Sequence, residues 1–167
     1  MRLHVQYDYP APPDQVFTML IDPEYVKAKA ANAGDVDVVV DESGPAPDGF
    51  RFVSRRTVAV DVPAFAKKLL NPKNVLTQTD VWADPAADGS RTGTWQVATK
   101  GVPIAMSGTT TLSPTPTGGT VGVIDGEVTS SVPLVGGKFA SYVAKEAEAS
   151  LDRDHDFAVR WLKEHAS

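Results

Sequence analysis

The chain has 167 residues, 42% hydrophobic and 22% charged, which suits one globular domain over residues 1–167 and excludes a disordered or fibrous protein. Its net charge of −5 argues against a nucleic-acid partner, which is held chiefly through a surplus of Lys and Arg. With no cysteine, disulfides, thiolate nucleophiles and thiolate metal sites are all excluded, as in a reducing interior.

Leu3, Val5, Tyr7 and Tyr9 alternate with Arg2, His4, Gln6 and Asp8, the period of a strand with one buried face. This N-terminus lacks the apolar core of a signal peptide, and the longest aliphatic run is Val38-Val39-Val40, so a cytoplasmic protein without stable membrane insertion is predicted. Pro12-Pro13-Asp14 opens a helix with Val16, Phe17, Leu20 and Ile21 at helical spacing, Pro23 stops it, and a second short helix is predicted from Glu24 to Ala33 before Gly34. Strands follow at Val36 to Asp41 and Phe50 to Val60, joined by a Gly-Pro-rich turn from Gly44 to Gly49.

Pro63 to Asn71 reads as a short amphipathic helix with Phe65, Leu69 and Leu70 on its apolar face, interrupting the sheet. Strands resume at Val75 to Ala83, Thr92 to Thr99, Ile104 to Leu112 and Thr120 to Val132, which makes seven. Lys138 to His165 contains no proline or glycine and predicts a helix of about seven turns at 3.6 residues per turn. Such an order has few compact solutions: the sheet must curl round the last helix to cover its apolar stripe. The predicted fold is α+β, a helix grip in which a curved seven-stranded antiparallel sheet surrounds the long C-terminal helix.

Several junctions carry a resemblance: Pro12-Pro13-Asp14-Gln15-Val16-Phe17, Asp22-Pro23-Glu24-Tyr25, Arg55-Arg56-Thr57, Gly108-Thr109 and Val132-Pro133-Leu134-Val135-Gly136-Gly137-Lys138. Through them nearly the whole chain resembles the START-like, polyketide-cyclase and birch-pollen-allergen superfamily, and more narrowly an actinobacterial family of uncharacterised members. The resemblance implies a hydrophobic cavity with a lipid, hormone or polyketide ligand. It carries no catalytic residues across, because sites differ among proteins sharing this fold.

Two rotations of the last helix fit its periodicity. In one, Phe139, Val143, Glu146, Ser150, Asp154, Phe157 and Trp161 face inward with Tyr142 at the flank, a stripe apolar at its ends and polar in its middle. A solid core would not accept Glu146 and Ser150, whereas a cavity wall holds them with water or a ligand's polar group. In the other, Ala147, Leu151, Ala158 and Leu162 face inward and Glu146 lies on a solvated edge. Phe65, Leu69, Trp82, Trp95 and Met106 complete the candidate lining, with the segment around Phe65 as a lid.

Other constellations read as ordinary structure. His4, His155 and His165 lack metal-ligand spacing, and Asp152-Arg153-Asp154-His155-Asp156 fans around a helix as a solvated turn. Gly136-Gly137-Lys138 fails as a phosphate loop, since Val132 stands in place of the first glycine and Phe139 in place of the Ser or Thr. Arg51, Arg55, Arg56, Lys67, Lys68 and Lys73 are a local excess of cations of a kind ordinarily solvated. No catalytic residue, metal ligand or cofactor is predicted. The leading expectation is a carrier or sensor for a small hydrophobic molecule; the alternatives are a cyclase or dehydratase using a cavity carboxylate, and an interaction domain whose cavity its own side chains fill.

Overall fold

A computed structural model describes residues 1–166. Its order is β1 (Arg2–Tyr9), α1 (Pro13–Leu20), α2 (Pro23–Ala33), β2 (Val36–Ala46), β3 (Gly49–Ala59), a 3-10 turn (Ala64–Ala66), β4 (Lys73–Trp82), β5 (Arg91–Thr99), β6 (Ile104–Pro114), β7 (Thr120–Ser130) and α3 (Gly136–Glu164). The seven strands form one antiparallel sheet in the order β1-β7-β6-β5-β4-β3-β2. The α+β helix-grip fold is therefore as expected, with α3 lying across β7 and β1 and packing against α2.

Local chemistry accounts for the ends of the helices. The Asp22 side chain accepts the Glu24 amide at 2.9 Å, and Gly34 closes α2 at φ +83, where only glycine sits without strain. Proline at the first helical position starts both α1 and α2.

Two expectations are corrected. The turn between β2 and β3 is only Pro47-Asp48, because β2 continues through Pro45, opposite Phe50, to Ala46, opposite Gly49. β2 is an edge strand, so the N–H that Pro45 lacks is not needed for pairing. The predicted helix from Pro63 to Asn71 reduces to the single turn Ala64–Ala66. Its ends are tied, since the Val60 amide donates to the Pro72 carbonyl at 2.8 Å and Asn74 bonds both the amide and the carbonyl of Asn71. A loop closed at its base, and obliged to bury both Ala66 and Leu70, has room for no longer helix.

The concave face of the sheet is lined by alternate residues. Glycines at its centre set the curvature: Gly108 pairs directly with Gly126, and the Trp95 ring lies where a Gly126 side chain would begin. A Cβ on Gly126 would meet Trp95 Cζ2 at 2.5 Å and the Ser107 carbonyl oxygen closer still.

Both stripes of α3 face inward in part: Val143, Glu146, Ser150 and Asp154 of the first border a cavity, while the second lies against the sheet. Ala140, Ala144 and Ala158 are buried, with Ala147 and Leu151 packed beside them. Small residues let the helix approach β7 and β1 closely on that side.

Candidate functional site

Between α3 and the strands β3 to β6 the packing stops. A cavity of about 340 Å³ remains, next to a smaller one of about 140 Å³ under α1 and α2. Leu3, Leu76, Trp95, Val97, Ile104 and Met106 wall the apolar end of the larger cavity, while aromatic groups including Tyr9, Tyr25 and Trp82 wall the smaller. Ala59, Glu146, Ala149 and Arg153 line the larger cavity and are exposed, which marks its opening between the end of β3 and the middle of α3.

A charged belt lies where the two cavities meet. Lys29, Asp35, Arg56, Gln78, Asp80 and Asp154 border both. The Arg56 Nε is 3.4 Å from Asp35, and the Lys29 Nζ is 3.8 Å from Asp154. The Gln78 amide nitrogen donates to both oxygens of Asp80, at 3.1 and 3.3 Å, while its oxygen accepts from Arg56 at 3.5 Å. Two cations thus face three carboxylates: Asp35 and Asp154 are each ion-paired, whereas Asp80 is bonded by a neutral amide.

Burial raises the Asp80 carboxyl above the ordinary range, against the Gln78 hydrogen bond and the more distant Lys29 and Arg56 charges. Asp35 is also pushed up by burial, which outweighs its ion pair with Arg56. Tyr9, at the edge of the belt, is raised to about 12 by burial and by the charge of Asp154.

Of the residues singled out in the sequence, Trp95, Met106, Val143, Glu146 and Ser150 line the larger cavity, with Glu146 at its exposed rim. Trp82 lines the smaller one and packs edge-on against Phe17. The remaining four are not brought into either cavity. Phe139 is wholly buried in a separate cluster with Ala66, Leu70 and Val102, and Leu69 packs on that cluster. Phe65 and Tyr142 also pack on that cluster and meet edge to face at 6.1 Å. Their segment borders the cavity through Val60 and Leu70, beside the opening at Ala59 and Glu146.

The belt was missed although a signal for it exists. Along β4, Leu76, Gln78, Asp80 and Trp82 share one face, and along β3 so do Phe52, Ser54, Arg56 and Val58. In each strand polar groups stand in the phase of core residues, the same mark of a cavity wall that Glu146 and Ser150 give along the last helix.

Among the described residues no cluster of three or more His, Asp or Glu is placed to hold a metal ion, and no helix is long and apolar enough to cross a membrane. Solved structures share the architecture. The protein TTHA0849 from Thermus thermophilus is 16% identical with a TM-score of 0.69, each chain covered over 100% of its length. The ZhuI aromatase/cyclase from a Streptomyces species is 16% identical with a TM-score of 0.66, over 100% of this chain and 96% of that one. Human STARD10 is 11% identical with a TM-score of 0.64, over 98% of this chain and 66% of that one. At such identities the likeness is one of fold, the START-like helix grip. No curated protein matches the chain. A family model described as "Protein of unknown function (DUF2505)" matches residues 4–162.

Proposed function

We propose that this chain, which belongs to the DUF2505 family, is a carrier or sensor that binds a small hydrophobic molecule in its larger cavity. The observation that carries this reading is the division of the cavity wall into an apolar end around Trp95, Val97 and Met106 and a charged belt around Arg56, Gln78 and Asp80. The volume lies within the range of ligand pockets. A domain that merely displays a surface would fill such a space, so the volume favours a ligand over the interaction-domain reading.

The belt narrows the chemistry of the occupant. An apolar body, lipid-like or polyketide-like, suits the Trp95 end. Asp80 has an acceptor surplus and only an amide as donor, so a hydroxyl or ammonium group on the ligand completes it.

Native mass spectrometry of freshly purified protein tests the reading. Wild type should carry an apolar molecule, and Met106→Trp, which fills the cavity from its apolar end, should carry none while remaining folded. A folded wild-type chain observed only bare, with no molecule taken up from added hydroxylated lipids, would count against it.

The enzymatic reading, of the cyclase or dehydratase sort, is favoured by one observation, and it concerns Asp80 rather than Glu146. A carboxyl that burial makes hold its proton more tightly, next to a cavity, suits general acid–base work. Asp80→Asn distinguishes the two: a carrier still takes up its ligand, more weakly, and has no turnover to lose, whereas an enzyme binds its substrate and loses turnover.

A further inference from the structure

Three segments meet at the end of the sheet where α3 begins: residues 61–73, which end on the first residue of β4, residues 100–103, and residues 131–138, which include the first turn of α3. Ala66, Leu70, Val102 and Phe139 pack them into one cluster. The Ser130 hydroxyl donates to the Pro103 carbonyl at 2.8 Å, and the Tyr142 hydroxyl to the Asp61 carbonyl at 3.3 Å. They therefore form one continuous surface.

That surface has the opposite charge to the rest of the chain. It carries Lys67, Lys68, Lys73, Lys100 and Lys138, all exposed, and a single acid, Asp61, in a protein of net charge −5. Among the described residues none of these five lysines forms an ion pair. The Lys138 ammonium sits over the face of Phe65 at 4.4 Å, so the cations are interleaved with apolar groups.

At the tip of the same surface stands Leu134. It is 105% exposed, the most exposed large hydrophobic residue described, and its backbone is left-handed at φ +68. A leucine there is unfavourable twice over, through apolar surface left in water and through a conformation that glycine or asparagine adopts more readily. Strain at an exposed position that the fold does not use points to something that covers it.

We propose that this end docks on an anionic lipid bilayer, with Leu134 inserted among the acyl chains and the lysines set against lipid phosphates. An apolar tip ringed by unpaired cations is complementary to such an interface. The cavity opening at Ala59 and Glu146 adjoins this end, two residues from Asp61 on one side and one helical turn from Tyr142 on the other. Docking would bring that opening close to the source of an apolar ligand.

Co-sedimentation of the full chain with extruded vesicles tests it, using pure phosphatidylcholine against an equimolar mixture with phosphatidylglycerol. Partition is expected onto the mixed vesicles only, and raised salt should weaken it. Replacing Lys67 and Lys68 together by Gln should weaken it about 25-fold, at roughly fivefold per lysine. Leu134→Gly, which suits the left-handed backbone and preserves folding, should weaken it roughly tenfold to a hundredfold. Lys163→Gln, at the far end of α3, should leave it unchanged. No partition onto either vesicle, equal partition onto both, or equal losses from Lys163→Gln and the Lys67, Lys68 pair would each overturn the proposal. So would a concentration-dependent dimer abolished by Leu134→Gly, which would make a second copy the partner.

Discussion

Gly126→Ala should destabilise the protein by about 3 kcal/mol, the upper end of the usual range for overfilling a packed site. The added methyl would begin within 2.5 Å of the Trp95 ring and closer to the Ser107 carbonyl oxygen, which belongs to the adjacent strand β6. The ring is not a free end that can swing aside, because its indole N–H donates to the Thr109 carbonyl at 3.1 Å and it is buried among Leu3, Val97 and Val128. Either Trp95 gives up that hydrogen bond and moves into the cavity, or β6 and β7 part at the Gly108–Gly126 pair. Gly137→Ala provides the comparison, since a Cβ there meets nothing and alanine favours the first turn of α3; that variant should be neutral or gain up to about 1 kcal/mol. Urea melts of the three proteins measure the differences. If Gly126→Ala lies within about 1 kcal/mol of wild type, the account of curvature through this glycine pair fails.

Asp80→Asn should stabilise the protein at neutral pH, on the order of 1 kcal/mol, because it removes a carboxylate that burial disfavours and keeps an amide able to bond Gln78. The pH dependence fixes the cause. The folded carboxyl holds its proton to higher pH than the unfolded one, so below the unfolded value both states are neutral and the acid imposes no penalty. As pH rises through the unfolded value the wild type loses stability, and the loss levels off once the folded carboxyl has ionised. The advantage of Asp80→Asn should accordingly be small near pH 4, grow on the alkaline side of it, and become constant. Asp35 is raised in the same sense, but it is common to both proteins and cancels in the difference. Denaturant melts across that range decide the matter; an advantage independent of pH would show that Asp80 is not held above its ordinary value. A ligand that donates a hydrogen bond to Asp80 should reverse the order, stabilising wild type more than the variant.

The order of elements was legible in the sequence because each rests on local chemistry. Alternation along Leu3 to Tyr9, the prolines at Pro12, Pro13 and Pro23, Gly34 beyond α2 and the unbroken stretch from Lys138 to His165 report backbone preferences that neighbours along the chain enforce. One long helix after a run of strands left few ways to bury its apolar stripe, so the helix grip and a space beneath the helix followed without tertiary information. Facing and closure were decided elsewhere. The rotation of α3 depends on which side small residues allow β7 and β1 to approach, so Ala140, Ala144 and Ala158 face the sheet and Glu146 the rim. The segment from Pro63 to Asn71 has helical spacing, but its ends are held by contacts from Val60 to Pro72 and from Asn74 to Asn71 that only the folded sheet creates. The charged belt is tertiary in the fullest sense: Lys29, Arg56, Asp80 and Asp154 come from α2, β3, β4 and α3, and each alone looks like a surface residue. Periodicity along one element records which side is buried, and the pairing of charges across four elements is settled only when the sheet curls and brings them to one wall.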